Sequence, residues 1–257
     1  MTHLLHPAAE NGFSSAAELY QQVRPNYPQG IVQWLQHDLG IQNESVAIDL
    51  GAGTGKFLNY LKQATQNIFA IEPIPAMLEQ LKIVHPEVTT LQASSHQINL
   101  KSQSVDAILC AQSFHWFAEL DTLTEMHRLL KPQGNLGLVW NQRDTNIEWV
   151  KALADYIAPF ESDTPRFHSD QWQNVFKAQN LFKFESLQTF KQHQTGTVED
   201  VVSKRLLSTS FIAAMTAEEQ AKMKAAFEDI VQKHTGLSVQ DQISFPYITY
   251  AYHYRAL

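Results

Sequence analysis

Residues 46–56 read Val-Ala-Ile-Asp-Leu-Gly-Ala-Gly-Thr-Gly-Lys. An apolar run, Val46, Ala47, Ile48 and Leu50, gives way to glycines at alternate positions 51, 53 and 55. Phe57, Leu58 and Leu61 follow at helical spacing. A buried strand, a glycine turn and a helix open a nucleotide-binding α/β unit. Glycines let the backbone turn tightly and approach a ligand closely, and the helix start offers it unpaired N–H groups.

The spacing narrows the ligand. A dinucleotide fingerprint would put its third small residue at position 56, which is Lys56. A P-loop needs four residues between its glycines and Ser or Thr after its lysine. Here Ala52, Gly53 and Thr54 separate Gly51 from Gly55, and Phe57 follows Lys56. Asp49 would repel a pyrophosphate but suits a ligand carrying an ammonium and a sulfonium. Asp-x-Gly-x-Gly-x-Gly at a strand end resembles motif I of the class I S-adenosylmethionine-dependent methyltransferases. The resemblance implies S-adenosyl-L-methionine as cofactor and S-adenosyl-L-homocysteine as product, held by Asp49, Gly51, Ala52, Gly53, Thr54 and Gly55. It implies no metal.

The chain has 257 residues, 44% of them hydrophobic, enough for one sizeable α/β domain with an appended lobe. A formal net charge of -7 with only 19 Lys plus Arg argues against a basic nucleic-acid face. Cys110 is the one cysteine, which excludes an intramolecular disulfide. No apolar run is long enough to span a membrane and no signal-peptide pattern opens the chain. The expected protein is soluble and cytoplasmic, with a small-molecule partner rather than nucleic acid or membrane.

Along the chain, residues 1–12 read as irregular and 13–23 as a helix. Two prolines force extended or turn backbone on Arg24-Pro25-Asn26-Tyr27-Pro28. Tyr20-x-x-x-Arg24-Pro25-x-Tyr27-Pro28 is similar to the N-terminal segment of many small-molecule methyltransferases. That likeness implies that Tyr20 and Arg24, one helical turn apart, cover the methionine end of the cofactor. Helices are predicted over 31–39, stopped by Gly40, and over 56–65. A strand over 67–72 closes on Glu72, about twenty residues past the glycines, where such folds place a ribose-binding carboxylate. Its two oxygens can accept both ribose hydroxyls. Met77, in the next helix, packs either beside the adenosine or within the helix interface. The strand over 88–91 leads to Ala93-Ser94-Ser95-His96. Relatives carry Gly-x-Ala-Glu there, so His96 stands where the adenine-contacting acid would, and Ser94 or Ser95 is expected to supply contacts instead.

The strand over 104–110 ends in Ala111-Gln112-Ser113-Phe114-His115-Trp116-Phe117. Ligands of open α/β sheets lie outside the carboxyl ends of the strands. Ala111 and Gln112 are therefore placed beside the cofactor and the His-Trp pair facing the site. The segment resembles the Gln-x-x-His-Trp-Phe of the trans-aconitate methyltransferase-like branch of the type 11 methyltransferases. His115 is read as orienting an acceptor or serving as a base, with a buried structural histidine as the alternative. Trp116 is read as a pocket wall. A helix over 120–130, a turn at Lys131-Pro132-Gln133-Gly134 and a strand over 136–140 complete the pattern. Beyond 145, helices are predicted over 148–160, 171–178, 198–207 and 217–233, the last stopped by Gly236. Strands are predicted over 182–193 and 243–254, and a turn over 208–212.

These readings give a Rossmann-like α/β fold: a seven-stranded, mostly parallel sheet with a helical cap inserted near the C-terminus. One methyltransferase domain would span 1–257, with a cofactor core over 13–144, an acceptor lobe over about 145–241 and a final strand over 242–256. The rivals are a nicotinamide-dependent dehydrogenase and a non-catalytic cofactor-binding protein of the same fold. The run Gln112-Ser113-Phe114-His115-Trp116-Phe117 holds no acid, so no obvious carboxylate–histidine pair stands at that strand end to deprotonate an acceptor. A carboxylic acid, ionised above a pKa of about 4, needs no base. Arg24 or Arg143 could hold its second oxygen, and Trp116, Ser210 and Phe211 could face it. A phenol or thiol with His115 as base is the competing acceptor.

Overall fold

A computed structural model describes residues 22–177 and 179–257. Its strands are β1 (Val46–Leu50), β2 (Asn67–Ile71), β3 (Thr89–Leu91), β4 (Val105–Ala111), β5 (Leu130–Arg143), β6 (Phe182–Thr197) and β7 (Gln242–Ala256). Its helices of eight residues or more are α1 (Gly30–His37), α2 (Pro75–Val84), α3 (Leu120–Leu129), α4 (Glu148–Ile157) and α5 (Ala217–Thr235). The seven strands form one sheet in the order β3-β2-β1-β4-β5-β7-β6. β1 to β5 pair in parallel, and β7 runs antiparallel. This is the expected seven-stranded, mostly parallel fold.

The chain groups into two compact units. The core unit comprises Tyr27–Asn141, Pro165–Phe190 and Thr249–Leu257. The second unit comprises Gln142–Thr164 and Lys191–Ile248 together with residues 22–26.

In the core unit, alternate strand residues face opposite sides of the sheet. Ala47, Ala107 and Leu109 pack with Trp34 and Leu35 of α1 and with Leu61. Ile48, Leu50, Ile108 and Cys110 pack with Leu123, Met126 and Leu129 of α3. With apolar neighbours on both faces, β1 and β4 read as near-continuous hydrophobic runs. α1 buries Ile31, Val32, Trp34 and Leu35, one amphipathic stripe, and Gly40 at φ +59 follows it.

Several predicted boundaries change. The helix expected over 56–65 is only Leu58–Leu61. After Lys62 donates to Leu58, Gln63 and Ala64 donate three residues back, to Tyr60 and Leu61, and tighten the chain. Thr65 Oγ1 then ties it to the carbonyl of Ser45 at 2.6 Å, which brings it to the start of β2. The turn expected at 131–134 is a bulge inside β5: Val105 pairs with Leu130 but Ala107 with Asn135, and Gln133 takes φ 63.

In the second unit, Thr216 and Glu219 form a capping box at the start of α5, and Gly236 at φ 74 ends it. Met223, Phe227 and Val231 of α5 pack with Val150, Leu153 and Ile157 of α4 and with Phe245 and Tyr247. Residues 198–207 form a π-helical turn, Glu199–Lys204, followed by Arg205–Leu207. The turn expected over 208–212 is instead the start of one helical turn, Ser210–Ala213, closed by Ala213 N–H on the Thr209 carbonyl. Among the described residues, no helix is long and apolar enough to cross a membrane.

Candidate functional site

The strand order reverses direction between β1 and β4, and both strands end at that switch point. Gly51 and Ala52 both donate to the Ile71 carbonyl at the end of β2, at 2.8 and 3.0 Å. Gly51 sits at φ +70, and a Cβ there would lie 2.6 Å from the Ser113 Cβ at the end of β4. Ser113 in turn donates to the Leu50 carbonyl at 2.7 Å. The loop therefore lies flat against both neighbouring strand ends, which only glycine permits.

Glu72 is buried and holds the loop with both oxygens. Oε2 accepts from Gly53 N–H at 2.9 Å and Oε1 from Ile74 N–H at 3.0 Å. Burial pushes its pKa up to about 7 despite those two donors. Asp49 is fully buried, and neither of its oxygens has a hydrogen-bond partner among the described residues. Burial first, and the Glu72 carboxylate second, push its pKa up to about 8. Two buried carboxyls raised in this way lack a cation. A ligand bearing a sulfonium and an ammonium supplies positive charge, so the acids and the glycine cradle fit S-adenosylmethionine. Asp49 and the glycine loop would hold its methionine end and Glu72 its ribose; bound, it supplies an electrophilic methyl group.

The other predicted cofactor residues fall as follows. Thr54 is buried in the loop. Met77 in α2 is buried, with its sulfur 3.6 Å from where a Gly53 Cβ would stand. Ser95 shares a hydrogen bond with Thr122 at 2.9 Å, and Ser94 one with His96 at 3.4 Å. Ala111 ends β4, and Gln112, at φ 63, donates from its backbone to Val139 and from its side chain to the Asn141 carbonyl. Tyr20 lies outside the described residues.

His115 and Trp116 occupy a 3-10 turn, Phe114–Trp116, directly after β4. The indole N–H of Trp140 donates to His115 Nδ1 at 3.1 Å. A neutral imidazole has one N–H and one lone pair, so accepting at Nδ1 puts the proton on Nε2. His115 and Trp116 border a cavity of about 270 Å³ together with Glu119, Arg166, Ser169 and Gln171.

Arg24, Arg143, Ser210 and Phe211, predicted to face the acceptor, all belong to the second unit. Arg24 Nη2 donates to the Ser208 carbonyl at 2.6 Å. Arg143 ends β5. Ser210 is buried, and Phe211 packs among Leu206, Ile212 and Val202.

Three residues escaped the sequence reading: His85, Trp140 and Arg166. His85, at the C-cap of α2, contacts the Gly55 carbonyl through Nε2 at 2.9 Å and Lys62 Nζ through Nδ1 at 3.0 Å. A lysine ammonium can only donate, so His85 carries its proton on Nε2 and donates to the glycine loop. Burial, and then the Lys62 charge, hold its pKa below the ordinary histidine value. Lys62 also pairs with Glu87 at 2.6 Å. The signal for Trp140 was its place on the strand beside β4, since Ala111 registers with Val139.

The methyltransferase-domain family profile matches residues 48–138. An uncharacterized methyltransferase-like protein of Schizosaccharomyces pombe is 35% identical over 91% of this chain and 91% of its own length. An uncharacterized methyltransferase of Mycobacterium tuberculosis is 30% identical, over 92% of each chain. Among solved structures, a provisionally designated type II methyltransferase from Anaeromyxobacter dehalogenans superposes with a TM-score of 0.66 at 22% identity. It covers 91% of this chain and 97% of its own.

Proposed function

Since the chain belongs to the class I S-adenosylmethionine-dependent methyltransferases, we propose that its methyl acceptor is a small carboxylic acid. The reading rests on the hydrogen bond from Trp140 to His115. With Nδ1 occupied by that donor, the imidazole presents N–H at Nε2 rather than a basic lone pair. Such a histidine orients an acceptor oxygen and does not remove a proton from it. A carboxylate is ionised at neutral pH and needs no proton removed.

Two walls of the core-unit cavity suit that chemistry, while a further one, Glu119, is an acid from which the acceptor carboxylate has to be held away. Trp116 supplies an apolar face that strips water from the nucleophile, and Arg166 supplies a guanidinium able to fix one carboxylate oxygen. A volume of about 270 Å³ suits a small acid. The contribution asked of the protein is positioning, desolvation and a fixed field.

The test is an acceptor panel of matched acids, amides, amines, phenols and thiols, read by mass spectrometry as S-adenosylhomocysteine and methylated product. Methyl esters of acids, with the amides inert, are the expected outcome. Turnover confined to amines, phenols or thiols would overturn the reading.

A further inference from the structure

Arg205 has no part in the proposed methyl transfer. It lies in the second unit, directly after the π-helical turn, and is 8% exposed. Its Nε and Nη1 are sealed from solvent and have no acceptor among the described residues. Five residues on, the Ser210 hydroxyl is equally buried and equally without a partner. So is the hydroxyl of Tyr247, which packs in one apolar cluster with Leu206 and Phe211.

An unpartnered hydroxyl is a modest cost, but a guanidinium cannot shed its charge to escape one. The acids of the neighbouring turn and helix are already committed. Asp200 pairs with Lys204, and Glu199 and Glu228 both pair with Lys224. Glu228 also accepts from Ser203 at 3.0 Å. A buried fixed cation, with two unsatisfied buried hydroxyls in the same unit, one of them five residues along the chain, offers the donors of an anion site.

We propose that Arg205, assisted by the Ser210 hydroxyl, binds the carboxylate of a small molecule within the second unit. A carboxylate fits better than a phosphate. One guanidinium and neutral hydroxyls among apolar side chains balance one negative charge, whereas phosphate carries nearly two. The site stands whether or not the methyl acceptor is an acid.

Thermal melting of the full-length protein at constant ionic strength tests this with acetate, succinate and benzoate against acetamide and inorganic phosphate. At least one carboxylate is expected to raise the melting temperature saturably, while acetamide and phosphate do not. Arg205→Met should melt higher than the wild type without ligand, because it removes a buried unpaired charge, and should gain nothing from the carboxylate. Arg205→Lys keeps the charge but loses the planar donors, and Ser210→Ala loses one hydroxyl. Both should bind the carboxylate about tenfold more weakly. The proposal fails if no carboxylate gives a saturable shift, if Arg205→Met keeps the shift, or if phosphate shifts the protein more. It also fails if Arg205→Met melts lower than wild type while Arg205→Lys binds unchanged, the pattern of a structural arginine.

Discussion

Asp49 is costly to bury without a partner, and a cationic ligand beside it would offset that cost. Its folded pKa of about 8 lies above the unfolded value. Between pH 4 and 8 the unfolded chain has lost this proton and the folded one keeps it, so ligand-free stability falls as pH rises through that window. Asp49→Asn removes this carboxyl's share of the dependence and leaves that of Glu72, so the variant should out-melt wild type by a margin that grows from pH 5 to pH 8. Cofactor binding reverses the preference, because a cationic ligand favours the ionised carboxyl. Wild-type affinity should therefore rise with pH toward 8 with proton release. Asp49→Asn should lose about 1.5–3 kcal/mol, the scale of a charge-assisted hydrogen bond. Calorimetry in two buffers of different ionisation enthalpy checks both. Equal affinity in wild type and variant, with no proton release, would remove Asp49 from the cofactor site. Asp49 was legible in the sequence because its neighbours in the chain carry the motif. Trp140 was not legible as a partner of His115. Their contact crosses two strands, and only the β4–β5 register brings them together.

At the scale of elements, the glycine loop is held from behind by α2. Gly55 takes φ +85, and a Cβ there would meet His85 Cδ2 at 2.6 Å. Gly55→Ala should therefore combine backbone strain with a clash, costing about 1–3 kcal/mol and weakening the cofactor site. His85→Ala alone loses the hydrogen bond to the Gly55 carbonyl, costing about 1 kcal/mol. The double variant removes the clash, so urea denaturation should give less than the sum of the two losses. Strict additivity would mean that His85 does not brace the loop. The strands and α1 were readable from apolar periodicity. The helix after the loop was not: residues 56–65 carry helical spacing, but the short path back to β2 and the Thr65 anchor stop it at Leu61. Likewise the bulge at 131–134 reads locally as a turn, and the strand around it becomes visible only from pairing with β4.

On the scale of the whole molecule, the chain is a methyltransferase whose candidate cofactor residues could be proposed from the sequence because they sit in one contiguous motif and at successive strand ends. The proposed acceptor residues were harder to read, since they lie on separate segments of the chain with no shared spacing. Arg166 follows a loop about fifty residues beyond His115. If His115 works as a hydrogen-bond donor, no base is needed. That role is tested most directly by kcat against pH for the best acid acceptor, at saturating cofactor so that Asp49 and Glu72 stay ionised. No inflection near pH 6.5 that His115→Gln abolishes is expected, and His115→Gln should keep partial activity because its amide still donates. Activity rising through a pKa near 6.5 and vanishing in His115→Gln would instead make the histidine a base and rule out the donor role.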